Sequence, residues 1–149
     1  FAELNDALAK AETQRIEKES LYKHVMAGNV SSLPLVVNDP YIQNLKAEHA
    51  LAKSEYSQMS ATFKSGYPKL KEVGAKVAEL QRKIDEAQGS IANSVKSDYE
   101  AAQTKEETLR ESYEKQKVLA SALNDKSIEY NILKREIESN ETIYNTLLQ

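Results

Sequence analysis

Cysteine and tryptophan are absent from this sequence, and glycine and proline are scarce, with four and three residues respectively. Without cysteine there is no disulfide, no thiol chemistry and no cysteine-held metal site. The absence of cysteine fits any compartment and does not locate the protein. With so few Gly and Pro, the chain has few places to turn and should form few, long elements. Aromatics are only 7% of residues, too few for a typical compact core. No apolar run approaches the ~20 residues that a membrane-spanning helix needs, and no signal peptide is visible. The net charge is −3 with both signs mixed along the chain, which gives no basic stripe for nucleic acid. The first residue is Phe rather than Met, so a piece of a longer polypeptide is expected, with any membrane anchor outside it.

What the sequence does contain favours helix. Ala, Glu, Lys, Leu and Ser dominate, and most of these are strong helix formers. The predicted fold is all-α: an extended antiparallel coiled-coil hairpin of three helices, the last very long, forming a single region over residues 1–149. Helix 1 is expected over about 1–26, with Leu4, Leu8, Ala11, Ile16, Tyr22 and Val25 as apolar positions of imperfect period. A connector, 27–39, follows, in which Gly28, Ser31, Ser32 and Pro34 break helix, with Pro40 just beyond. Its run Leu35-Val36-Val37 reads either as a short extended segment or as a plug packed on the helices. Helix 2 is expected over about 40–65. Asp39 is placed to cap it by accepting from open backbone N–H groups, and Pro40 suits the first helical position.

Two seams then face each other. In helix 2 they are Ile42, Leu45, His49, Ala52, Tyr56, Met59 and Phe63; in helix 3 (about 68–149) they are Leu70, Val73, Val77, Leu80, Ile84, Ala87 and Ile91. Both alternate spacings of 3 and 4, the heptad pattern of a coiled-coil face. Folded about Tyr67 they match one for one, from Phe63 on Leu70 to Ile42 on Ile91. Beyond Ile91 the positions Val95 and Tyr99 are spaced four and four. Such a stutter rotates the seam and implies a change of partner to helix 1, running against about 95–125 in line with helix 2. Later seam positions are Leu109, Tyr113, Leu119, Leu123, Tyr130, Leu133, Ile137, Tyr144 and Leu147. Past about residue 125 no partner remains in this chain, so another subunit or further sequence is needed. An unbroken helix 3 would be on the order of 120 Å long at ~1.5 Å per residue. Glu72/Lys76, Glu79/Lys83, Glu106/Arg110 and Glu111/Lys115 are (i, i+4) pairs in the favourable order. Gly74 and Gly89 are read as lying off the seam, with a bend near Gly89.

Enzymatic constellations are missing. His24 and His49 are the only histidines. His49 is read as a polar seam residue that sets register, and His24 as a residue near a helix end with a favourable dipole interaction. The glycines are too scattered for a phosphate loop, and the carboxylates stand on solvated faces. No catalytic residue, cofactor or metal is therefore expected. Tyr56, Tyr99, Tyr113, Tyr130 and Tyr144 fall on seam positions, where core packing is the reading. Asn29-Val30-Ser31 and Asn140-Glu141-Thr142 match the glycosylation sequon, a match too short to weigh.

The turn itself is "TFKSGYPKLK", residues 62–71. Its tip is expected at 65–68. Gly66 is read as the left-handed residue that ends helix 2, and Pro68 as the start of helix 3. Lys64, Tyr67, Lys69 and Lys71 form a candidate interaction patch for an anionic surface or polysaccharide; the plainer reading is solubilising charge.

Residues 91–149 resemble the C-terminal periplasmic helix of the polysaccharide co-polymerases, the bacterial chain-length-determinant or exopolysaccharide-transport proteins. The pieces that carry the likeness are Asp98-Tyr99-Glu100-Ala101-Ala102, Lys105-Glu106 with Leu109, Tyr130, Leu133, Arg135-Glu136, Ile143-Tyr144 and Leu147-Leu148. Residues 33–56 resemble the family's preceding helix, and Tyr67-Pro68-Lys69-Leu70 its hairpin turn, where many members have His before the Pro. The resemblance implies a periplasmic segment of an inner-membrane protein, anchored by helices outside this chain. It also implies assembly into a homo-oligomeric ring and control of the length and export of surface polysaccharide. The implied partners are an outer-membrane polysaccharide export protein and a polymerase or tyrosine autokinase, the kinase lying outside this segment. The alternatives are the hairpin of a periplasmic adaptor in a tripartite efflux or secretion system, or a generic coiled-coil scaffold. Adaptors usually show Arg-Leu near the tip, and residues 62–70 contain no Arg.

Overall fold

The computed structural model describes residues 2–149; it is 92% helix, with no strand among the described residues. Five helical elements follow one another: α1 (Ala2–Met26), a 3-10 turn η1 (Val30–Ser32), a short α2 (Pro34–Val37), α3 (Pro40–Thr62) and α4 (Pro68–Leu148). The expected start at Phe1 lies outside the described residues. α4 is uninterrupted over 81 residues. The chain divides into two compact units, one holding Thr13–Gln103 and the other holding the chain up to Glu12 with Thr104–Gln149.

In the unit Thr13–Gln103 the chain stops α1 with Gly28, whose φ of 80° is the only positive φ among the described residues. The Gly28 N–H donates to Val25 O at 3.1 Å and the Asn29 N–H to His24 O at 3.0 Å, the paired bonds that close a helix on a left-handed glycine. Pro34 then opens α2. The extended alternative for residues 35–37 is overturned: with Leu33 and Val36 both buried and Leu35 and Val37 half exposed, the three-residue spacing of the buried pair is helical, and the plug reading holds. Asp39 caps α3 as expected, its Oδ1 accepting from Ile42 N at 3.0 Å, with Pro40 in the first turn.

The hairpin seams follow the heptads except at Tyr56 and Phe63, expected to pack but 38% and 41% exposed. Ile42, Leu45 and Ala52 of α3 and Leu70, Val73, Leu80 and Ile84 of α4 are buried, while His49, Met59, Val77, Ala87 and Ile91 are half-buried. Leu45, Ala52, Leu80 and Ile84 form one apolar cluster with Val77 against it. A second cluster sits at the stutter. There Leu33, Val36, Ile42 and Val95 are buried together, with Leu21, Tyr22 and Val25 of α1 and Ala87 and Ile91 of α4 packed on them. The plug thus fills the junction at which α4 passes from α3 to α1. Beyond it Tyr22 stacks on Tyr99, ring centroids 5.1 Å apart.

Three expectations need correction. Ile16 is not on the buried side of α1, being 52% exposed. The strict 4-3 stripe instead runs Leu4, Leu8, Ala11, Arg15, Lys18, Tyr22, Val25, each buried or half-buried. Arg15 and Lys18 hold those places because their long aliphatic stems cover apolar surface while their charges reach water; Arg15 pairs with Glu19 at 2.6 Å. Gly74 is not clear of the seam. The Tyr56 ring rests on it, so that a Cβ there would meet Tyr56 Cε2 at 3.1 Å. And α3 ends at Thr62 rather than near 65.

In the other unit, Leu4, Ala7, Leu8 and Ala11 of α1 and Glu106, Leu109 and Tyr113 of α4 are the buried or half-buried positions. Ala11 is 2% and Glu106 6% exposed. The expected Glu106–Arg110 pair forms at 2.7 Å. From residue 114 onward every residue of α4 is exposed. Tyr130 and Tyr144, expected to pack, are therefore bare, whereas Tyr99 and Tyr113 are half-buried.

Candidate functional site: the hairpin tip

The tip is built from the end of α3 forward. Thr62 is the last helical residue, and Phe63 turns extended at φ −111° and ψ 148° while its N–H still donates to Met59 O at 2.8 Å. The Tyr67 N–H donates to Lys64 O at 3.0 Å, closing a four-residue turn over Ser65 and Gly66. Gly66 does not adopt a positive φ, which corrects the expected left-handed cap. Because the helix stops three residues early, Phe63 rather than Gly66 breaks the helical path, and the turn closes with ordinary negative φ. Tyr67 then accepts from Lys71 N at 3.1 Å, which anchors the first turn of α4 on Pro68, a residue with no N–H to lose.

Ending α3 at Thr62 leaves Phe63 in the extended turn, where it stacks on Tyr67, centroids 4.3 Å apart and planes 11° from parallel. Both rings are 41% exposed. Lys64, Lys69 and Lys71 are exposed around them, while Leu70 points into the seam and is buried. The structure therefore brings Lys64, Tyr67, Lys69 and Lys71 to one end of the hairpin and adds Phe63, which the seam reading had assigned elsewhere. The signal for Phe63 was its place as the last seam position, immediately before Lys-Ser-Gly, where no further layer could hold it.

Electrostatically the tip is mixed. Lys69 and Lys76 share a shallow groove with Glu55, Glu72 and Val73, so part of the positive charge is answered locally. Lys69 and Lys71 also stand in the first turns of α4, where the helix dipole disfavours cations by roughly 0.3–1 kcal/mol each. Further along α4, Arg82 binds Glu79 through two hydrogen bonds of 2.6 and 3.0 Å and Glu86 through one of 2.7 Å. Glu79 thus takes Arg82 as its bonded partner rather than the expected Lys83. The Arg82 hydrogen bond holds the Glu79 carboxyl below its ordinary pKa, and the Arg15 hydrogen bond does the same for Glu19, with Lys23 adding to it. The Arg82–Glu79 pair is exposed and the Arg15–Glu19 pair half-buried, and each joins neighbouring turns of one helix.

Among the described residues no group of His, Asp and Glu could hold a metal ion, and no helix is long and apolar enough to cross a membrane. The tip offers two stacked, partly exposed rings, with exposed lysines at 64, 69 and 71 in the same stretch of chain. Comparison of the chain with protein-family models, with curated proteins and with solved structures gave no match.

Proposed function

We propose that this chain is the periplasmic coiled-coil segment of an inner-membrane polysaccharide co-polymerase, a non-catalytic arm that helps set the length and export of a bacterial surface or extracellular polysaccharide. The observation that carries the reading is the hairpin folded at Tyr67-Pro68 and continued by the 81-residue α4, whose residues 91–149 bear the family-like motifs. Its partners on this reading are further copies of itself, an outer-membrane polysaccharide export protein, and a polymerase or tyrosine autokinase reached through parts outside the segment. The adaptor reading is disfavoured by the tip, which presents lysines and two rings and no Arg.

Excising residues 40–91 from the intact gene in its host tests the function. A shifted polymer length distribution or lost export is expected, and an unchanged polymer profile would sink it. The tip's part in it is tested by K64E/K69E/K71E, for which reduced export is expected. Full export with unaltered polymer length would reduce the tip to a turn.

A further inference from the structure

We propose that the hairpin tip binds an acidic polysaccharide, Phe63 and Tyr67 taking sugar faces and Lys64, Lys69 and Lys71 taking carboxylates. On the co-polymerase reading, on which this rests, such a polymer passes through the compartment that the tip faces. Charge points to it first. Residues 62–71 hold three lysines and no Asp or Glu, in a chain whose net charge is −3. The stretch is thus +3 and the rest of the chain −6. No acidic residue stands in the first turn of α4, where the helix dipole favours anions over cations. Lys69 shares a groove with Glu55 and Glu72, yet none of the three lysines is in an ion pair among the described residues. Arg15, Arg82 and Arg110, by contrast, each hold a glutamate of their own helix at 2.6 or 2.7 Å. Cations set against the dipole and left unpaired weaken this end of the hairpin, and an external anion offsets that.

The rings are a second, independent feature. In a chain that is 7% aromatic, Phe63 and Tyr67 sit together at the turn, stacked, and each is 41% exposed. Stacking fixes each ring against the other before any ligand arrives, which lowers the ordering cost of binding. The face of an aromatic ring is electron-rich, and the flat C–H face of a pyranose is its complement. A lysine ammonium donates charge-assisted hydrogen bonds to a carboxylate. A uronic acid carries both features on one sugar, so successive sugars of one polymer serve rings and lysines together.

Other anionic surfaces fit the same side chains less well. Entry into a bilayer surface is driven by buried apolar area. Phe63 and Tyr67 are the only large apolar side chains exposed within residues 62–71, Leu70 being buried, and one of the two ends in a hydroxyl. On an acidic protein surface the apolar face and the carboxylates come from different residues and have to be spaced to match. In an acidic glycan the two belong to one repeating unit, and the match recurs along the polymer.

The test uses the whole 149-residue chain and measures binding directly, apart from export. Calorimetry with polygalacturonate should show binding that weakens with added salt, while neutral dextran shows none. K64Q/K69Q/K71Q removes the charges, and F63L/Y67L keeps apolar bulk but removes the ring faces. Each should weaken binding roughly tenfold or more, with helix content unchanged by circular dichroism. No binding of polygalacturonate by the parent chain would overturn the proposal. Binding undiminished in F63L/Y67L would overturn it too, in favour of a bare charge patch. Equal or tighter binding of polyglutamate, or of phosphatidylglycerol vesicles, would overturn it in favour of an acidic protein or a lipid surface. The co-polymerase reading fails separately. Glycan binding alongside a polymer profile unaltered by excision of residues 40–91 sinks that reading and keeps the tip as a glycan site. An altered polymer profile with no glycan binding does the reverse.

Discussion

Residues 70–99 and 114–148 of α4 are made of similar material and live in different surroundings. Both carry a heptad seam of Leu, Ile and Tyr on a charged helix. The first has three covers in turn: α3 to about Ile91, the Leu33/Val36 plug at Val95, and Tyr22 of α1 at Tyr99. The second has none among the described residues. A heptad seam is therefore a statement about what a helix can bury, not about what buries it. The stutter at Ile91, Val95 and Tyr99 is where the sequence records a change of cover, and the six-residue step from Tyr113 to Leu119 falls where cover ends.

The contrast is sharpest at a single isoleucine in each region. Ile84, packed with Leu45 and Ala52 of α3 and 5% exposed, should cost roughly 2–5 kcal/mol when replaced by Ala. Ile137→Ala, 59% exposed, should stay within about 0.5 kcal/mol when measured dilute enough for the chain to be monomeric. Equal losses in chemical denaturation would erase the distinction between the two regions. Next in size is the cap that starts α3. Asp39→Ala removes the acceptor for Ile42 N and should cost about 1 kcal/mol, with Asp39→Asn retaining most of it.

Glycine gives a smaller comparison inside the covered region itself. A methyl at Gly89 meets nothing within 4 Å, so Gly89→Ala should stabilise by up to about 1 kcal/mol through helix propensity. The same change at Gly74 must move the Tyr56 ring and should gain distinctly less; a larger gain at Gly74 than at Gly89 would contradict the packing described. The smallest effect is on pH. Glu19 and Glu79 have folded-state pKa values below the ordinary 4.5. Their ion pairs therefore add stability above about that pH and lose it as pH falls below it. Thermal melts of Glu79→Gln and the parent should differ slightly at neutral pH and converge in acid.

Much of the hairpin was legible because its causes are local or periodic. Asp39-Pro40 and Pro68 announce helix starts by what their side chains can and cannot bond, and the alternation of 3 and 4 names the buried face. What escaped has causes that lie in chain direction or side-chain length. The left-handed residue proved to be Gly28 and not Gly66, because α1 closes on Gly28 with bonds back to Val25 and His24, whereas α3 ends on the extended Phe63. Phe63 looked like a seam residue until the helix ended one position before it. Arg15 and Lys18 were passed over in favour of Ile16 because a charged residue does not look buried, although its stem can be. At the tip, the lysines and Tyr67 were visible in the sequence, whereas the ring that completes the face was not.

The shared heptad seam of α3 and α4 has a consequence for how such an arm changes through descent. Losing or gaining seven residues in both strands of the hairpin preserves every surviving layer, the plug and the turn. It moves the tip relative to the plug by about 10 Å per heptad. Losing one residue from one strand rotates the rest of that strand's seam by about 100° and strips the layers beyond it. Lengths of this hairpin among its descendants should therefore be quantised, with spans between plug and tip that differ by whole heptads in both strands.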